Sequence, residues 1–311
     1  MGHRVITSCV IAHWPLLIID NNFVSLSREG GCVTNGIMLP YQTLYVYEIP
    51  GVAVGSRNVF KDDFLGCWTE GEISFLFFSS PHDEEVEAFA DKNGWELRSR
   101  NVLDYKEWQA GEELKPFKID RLVICPPWEP CAVEKGEHLI LLDPCVVFGT
   151  GSHPTTRACL HALCEIYRRE EPRTVLDLGT GTGILALAAA KLGAERVLAV
   201  DCNELAVETA LRNVSLNRES HRVEVRQGWA EQCIEEEAEV LCANLHGQVI
   251  ETLLTREAFF RKRWFILSGI FVKDALEIER RLNQASIETV RAFEEKVWRT
   301  WIGVKKECKE C

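Results

Sequence analysis

The stretch Thr174-Val-Leu-Asp-Leu-Gly-Thr-Gly-Thr-Gly183, followed by Ile184-Leu-Ala-Leu-Ala-Ala-Ala-Lys-Leu-Gly193, constrains the fold more than any other part of the chain. An apolar run of strand length enters three glycines at alternate positions and then opens onto a helix-forming segment. Glycine tolerates a left-handed turn and lets another group approach the backbone. Further on, Val197-Leu-Ala-Val-Asp201 is a second apolar run, and it closes on a carboxylate. Strand, glycine turn, helix and acid-ended strand form the nucleotide-binding half of a doubly wound sheet, in which the acid accepts from ribose hydroxyls.

At 311 residues, 46% of them hydrophobic, the chain has room for two domains with a substantial core. A net charge of −12 argues against nonspecific nucleic-acid binding, because phosphates reward basic surfaces. The same charge fits a basic protein partner, and equally a surface that merely keeps the chain in solution. The thirteen cysteines are odd in number and irregularly spaced. Cys159, Cys164 and Cys242 sit in apolar runs, where free thiols act as small hydrophobes, so a reducing cytoplasm is expected. Cys308-Lys-Glu-Cys311 has no second pair to complete a metal site, and no metal is expected.

Residues 5–19 are apolar, but His13, Trp14 and Pro15 interrupt them and no small-residue cleavage site follows. The run is also too short to span a bilayer. Residues 1–39 are therefore expected to form an N-terminal extension, disordered or non-native in one reading. Residues 40–115 read as a small α+β domain for substrate recognition. It has three strands (near 44–49, 73–78 and 95–100) and one helix near 81–90, opened by acids. Residues 116–139 are expected as a linker and 140–311 as an α/β domain. After Asp201 helix and strand alternate until two antiparallel strands close the chain, near 289–293 and 297–305. The fold class expected is α/β, a Rossmann-like parallel sheet with a C-terminal antiparallel hairpin, plus the smaller N-terminal α+β unit.

Gly179-Thr-Gly181-Thr-Gly183 fits the G-x-G-x-G of methyl-donor sites, while Gly181-Thr-Gly-Ile-Leu-Ala186 fits the dinucleotide pattern G-x-G-x-x-A. The loop alone leaves both open. Asp177 stands in the strand just before the first glycine. A carboxylate there suits a cationic ligand, such as the amino acid half of S-adenosylmethionine, and would repel a pyrophosphate at the turn.

Phe148-Gly-Thr-Gly-Ser-His-Pro-Thr-Thr156 and Ala243-Asn244-Leu245 resemble the PrmA-type ribosomal protein methyltransferases. Asp143-Pro144, Leu267-Ser-Gly-Ile270, Trp108 and the segment from Leu122 to Trp128 extend the resemblance over about residues 100–305. The block from Phe148 to Thr156 is specific to that group, whereas the glycine loop is shared by a very large superfamily. The resemblance implies methyl transfer from S-adenosyl-L-methionine to lysine, and to N-terminal amines, of a basic large-subunit ribosomal protein. It also implies a monomer without nucleic-acid or membrane contacts.

Carried over residue by residue, the resemblance gives donor-binding roles to Thr156, Gly179, Asp201 and Asn244. Phe148, Asp177, Gly181 and Gly183 are added as neighbours in the same motifs. Asn244 is the candidate that orients the incoming amine. His153 has two readings, a proton acceptor or a loop histidine that packs or caps. The chain departs from the family at Cys145, where a small residue is usual, at His246-Gly247, and in the N-terminal unit. The family's ferredoxin-like unit has four strands, against the three read here. Methylation of another protein lysine or of a small-molecule amine stays open, as does an NAD-dependent oxidoreductase.

Overall fold

The computed structural model describes residues 24–26, 32–34, 42–53, 55–60, 63–105 and 115–306. The rest of the expected N-terminal extension, Trp108 and the Cys308/Cys311 pair lie outside the described residues. Strands β1 (Val24–Leu26) and β2 (Cys32–Thr34) pair antiparallel. The next sheet contains β3 (Thr43–Pro50), β4 (Phe64–Glu70), β5 (Ile73–Phe78) and β6 (Ser99–Asp104) in the order β4-β5-β3-β6, with every pair antiparallel. Helices Ser56–Val59 and Asp83–Lys92 complete a β-α-β-β-α-β, ferredoxin-like unit.

The three-strand reading of this unit is therefore corrected to four. β4 escaped because it does not alternate. Its first three residues are all buried, and a bulge between Phe64 and Gly66 breaks the period-two signal. The first helix is a single turn, too short to carry a periodicity. The third strand read from sequence begins four residues later than expected, at Ser99. The indole of Trp95 instead packs on Gly51, where an added Cβ would lie 2.4 Å from the ring.

Both faces of this sheet are covered. Tyr47, Ile49, Leu76 and Phe78 face Phe60, Val86 and Phe89 on the helical side. Leu44, Val46, Leu65 and Phe77 pack on Tyr105, Cys145, Val146 and Leu205, so the second face rests on the C-terminal unit. The stretch expected as a linker holds β7 (Phe117–Ile119), β8 (Leu122–Cys125) and β9 (Ala132–Val133). β8 pairs with β7 and, in parallel, with β10 (His138–Leu141), while β9 pairs with β2.

The main sheet has seven strands: β11 (Thr174–Leu178), β12 (Arg196–Asp201), β13 (Val223–Gln227), β14 (Val240–Asn244), β15 (Trp264–Phe271), β16 (Ile287–Glu295) and β17 (Trp298–Lys305). Their order is β13-β12-β11-β14-β15-β17-β16; the first five are parallel, and β17 runs antiparallel between β15 and β16. β11, β12 and β14 read as near-continuous apolar runs because helices cover both their faces. Helix Ile184–Leu192 is buried at almost every position, and its alanines let it lie close to its neighbours. The strand order reverses at β11, between β12 and β14, and a ligand crevice is expected beyond the carboxyl ends of strands at such a point.

A buried asparagine on helix Glu204–Leu216 fixes the walls of that crevice. Asn213 accepts from the Asp143 N–H at 2.9 Å through Oδ1 and donates through Nδ2 to the carbonyls of Asp143 and Thr182, each at 2.9 Å. Asn213→Ala strands these buried backbone groups and should destabilise the fold by about 2–4 kcal/mol in denaturant unfolding. A loss well below about 1 kcal/mol would show that the three bonds are not needed. Leu205→Ala empties a fully buried position shared by both units and should cost about 2–5 kcal/mol in the same measurement.

Candidate active site

All three glycines of the loop adopt left-handed backbone, with φ of 73° at Gly179, 54° at Gly181 and 82° at Gly183. Close contacts add to the conformational demand. A Cβ at Gly181 would lie 2.5 Å from the Phe148 carbonyl oxygen, and one at Gly179 would lie 2.3 Å from Leu245 Cδ2. Residues 148–149 therefore lie directly against the glycine loop. The Thr182 N–H donates to the Phe148 carbonyl at 3.2 Å, and its hydroxyl donates to the Gly149 carbonyl at 2.7 Å.

Two carboxylates flank this loop. Asp177 is buried; its Oδ2 accepts from the Thr180 hydroxyl at 2.6 Å, while Oδ1 has no hydrogen-bond partner among the described residues. Burial is the main cause that pushes its pKa up to about 7, with the Thr180 bond and the backbone N–H of Ala186 opposing and Asp201 adding to the rise. Asp201, at the end of β12, accepts from the Gly181 N–H through Oδ2 and from the Asn203 N–H through Oδ1, each at 3.0 Å. Its pKa is also raised by burial, against the backbone bonds from Asn203, Gly181 and Cys202. The backbone holds this carboxylate in place, and each oxygen keeps a second lone-pair site.

Thr156 and Asn244, 88 positions apart in sequence, meet across the crevice, with Asn244 Nδ2 3.5 Å from Thr156 Oγ1. Thr156 lies in the first turn of helix Pro154–Arg169, and Asn244 ends β14 opposite Ser268 of β15. Gly269 bends β15 here; a Cβ on it would lie 2.3 Å from the Leu245 carbonyl oxygen. With Nδ2 toward Thr156, the Asn244 side-chain carbonyl takes no hydrogen bond among the described residues.

His153 is the N-cap of that helix. Its Nδ1 accepts from the Thr155 N–H at 3.4 Å and lies 2.8 Å from the Thr155 hydroxyl. Burial first, then nearby Lys296, lowers its pKa, with Glu295 opposing, so the ring keeps the lone pair that capping needs. The ring stands edge-on to Phe148 at 5.2 Å and to Trp298 at 5.3 Å, and Trp298 stacks on Phe271 at 4.5 Å. Phe148 and Phe271 are exposed, so this aromatic row forms a rim beside Thr156.

Several contributors were not read from sequence. Thr180, Thr182 and Asn213 bind the loop from within; the two threonines showed only as the residues between the motif glycines, and Asn213 gave no signal. Trp298 is brought in by the C-terminal hairpin. Trp229 follows β13 directly, where the Gly228 N–H donates to the Asp201 carbonyl, and it is 60% exposed. An unburied tryptophan at a strand's carboxyl end was legible. Among the described residues no cluster of His, Cys, Asp and Glu could hold a metal, and no helix is long and apolar enough to cross a membrane.

A family model described as ribosomal protein L11 methyltransferase (PrmA) matches residues 62–306. The chain is 41% identical over 186 residues to the ribosomal protein L11 methyltransferase of Exiguobacterium sibiricum, covering 56% of this chain and 58% of that one. It is 41% identical over 222 residues to that of Heliobacterium modesticaldum, covering 69% of this chain and 67% of that one. The chain spans 58–65% of the length of three curated relatives of that description, that of Exiguobacterium sibiricum among them. A crystal structure of the ribosomal protein L11 methylase from Lactobacillus delbrueckii subsp. bulgaricus superposes with a TM-score of 0.55 at 27% identity, over 62% of this chain and all of that one. With the specific Phe148–Thr156 block and Asn244 meeting at the glycine loop, and with a family match running through both units, the chain belongs to the ribosomal protein L11 methyltransferase (PrmA) family.

Proposed function

We propose that this chain methylates lysine amines, and N-terminal amines, of a large-subunit ribosomal protein of the L11 type, with S-adenosylmethionine as donor, in the cytoplasm. The observation that carries this reading is the contact of Thr156 with Asn244 beside a glycine loop flanked by two carboxylates. The fit to the donor rests on an orphaned atom. Asp177 Oδ1 is a buried acceptor that no donor among the described residues satisfies with a hydrogen bond, which suits an ammonium and would repel a pyrophosphate. That favours a sulfonium donor over NAD.

The bound donor supplies an electrophilic methyl carbon. The protein's part is to hold the reactants and to present a neutral amine. Asp201 would take the two ribose hydroxyls on its remaining lone pairs, and Trp229 would stack on the adenine. Asn244 would accept an N–H of the incoming amine through its carbonyl and aim the nitrogen lone pair at the methyl group, while Thr156 fixes the amide. A lysine near pKa 10.4 is protonated at neutral pH, and its deprotonation costs about 4–5 kcal/mol. A substrate seated against Phe148, Trp298 and Phe271 would displace water from the amine and lower that cost by disfavouring the ammonium. His153 contributes by capping the helix that carries Thr156.

Asp201→Ala should weaken donor binding by about 1.5–3 kcal/mol in calorimetry, and unchanged affinity would remove the ribose assignment. Asn244→Ala should lower turnover more than it weakens donor binding; equal losses would reduce Asn244 to a donor contact. The Asp177 proton sets a pH dependence. The donor's ammonium favours the carboxylate, so affinity is lost as pH falls through about 7, where the free site protonates. The donor's own α-amine, near pKa 7.7–8.0, limits binding on the alkaline side. Affinity should therefore rise about fivefold from pH 6 to pH 7 and peak before pH 8, and Asp177→Asn should abolish the acid limb. A flat wild-type profile would place the ammonium elsewhere.

A further inference from the structure

A cavity of about 440 Å³ lies between the first two turns of helix Pro154–Arg169 and the hairpin of β16 and β17. Pro154, Trp298 and Glu295 bound one end, His161 and Arg291 the other, with Arg157 between them. The first end adjoins the reaction crevice, because Trp298 stands against the His153 ring that caps the helix bearing Thr156. The cavity therefore runs from the candidate site back along the helix.

Apart from Glu294, which pairs with Arg299, its charges are sorted along that length. Glu295 is exposed, has no ion pair among the described residues, and bears electrostatically on His153 at the reaction end. Arg157 has no carboxylate partner among the described residues; its guanidinium lies over Phe117 at 5.5 Å. Arg291 is held in place, 3.0 Å from Glu165 and 4.7 Å above the Phe293 ring, and Glu165 is shared with Arg169. Phe293 supplies apolar wall between the charged ends. Residues 154–161 of the helix advance about 10 Å, which an extended chain covers in about three residues.

We propose that this groove receives an extended segment of the protein substrate, the few residues flanking the target lysine, and selects a carboxylate about three residues from the acceptor amine. The proposal rests on the protein-lysine reading above. Glu295 draws the lysine toward the crevice, and Arg291 at the far end, with Arg157 partway along, takes the carboxylate at the opposite sign of potential.

The test uses the full chain saturated with S-adenosylhomocysteine and labelled peptides of about ten residues. Each peptide contains one lysine, with Glu, Ala or Lys placed three residues to either side, and binding is read by fluorescence anisotropy. The wild type should bind a Glu peptide about tenfold or more tighter than its Lys counterpart, and Arg157→Glu should reverse that order. Calorimetric donor affinity equal to wild type certifies that the variant is folded; if it is not, Arg291→Glu takes its place with the same expected reversal. Equal affinity across the three peptides, binding of none of them below about 1 mM, or an order that survives in the folded variant would overturn the proposal. Charge-selective binding with no methyl transfer to any lysine would instead overturn the methylation reading and leave the groove standing. Methylation of the ribosomal protein at the wild-type rate by the folded variant would sink the groove alone.

Discussion

The close seating of the Phe148 carbonyl on Gly181 is the constraint from which the site follows. No side chain fits between them, and the left-handed turn at residue 181 is what brings the two backbones together. Residues 148–149 lead directly into helix Pro154–Arg169, so seating that loop on the glycine turn also sets where the helix begins. The helix start carries Thr156 to the end of β14, where Asn244 waits. Thr182 bonds the two loops to each other, and Asn213 binds both to a third element, helix Glu204–Leu216. The crevice is thus assembled from backbone contacts that a ligand need not supply.

The parts legible in the sequence were those whose signal is local and repetitive. The apolar runs of β11, β12 and β14, the alternate glycines and the acid closing β12 each declare themselves within a few residues. The main sheet and its crevice follow from them. β4 was hidden by its bulge, which places consecutive residues on the buried side. The start of helix Pro154–Arg169 is not announced in the ordinary way, because its cap is a histidine rather than one of the usual short oxygen-bearing residues. The pairing of Thr156 with Asn244 could be named by motif, but no local rule gives a contact between positions so far apart. Asn213 carried no signal, because its partners are all backbone groups distant in sequence.

Two departures from the family acquire a physical setting. Cys145 stands at φ 49°, a conformation that a residue without a side chain adopts more easily. Its N–H is held by Asp143 Oδ1 at 2.9 Å, its carbonyl accepts from the Tyr105 hydroxyl, and its side chain is buried among the residues joining the two units. The cysteine fills space there, and these bonds hold its backbone in the left-handed region. His246 and Gly247 open the short helix Gly247–Leu253 on the exposed side, and a Cβ at Gly247 would touch nothing.

The covered second face of the four-stranded sheet has a consequence for how the molecule comes apart. In many small sheets of this topology one face is open to solvent; here Leu44, Val46 and Phe77 rest on Cys145, Val146 and Leu205. Those last three lie on the segments leading to Phe148 and just beyond Asp201. Cutting the chain between the units would uncover apolar surface on both halves at once, and on the C-terminal half the raw face would adjoin the candidate crevice. A protease nick or a recombination breakpoint near residue 140 would then yield a sticky fragment whose loops have lost their backing. The two halves are in that sense inherited as one piece.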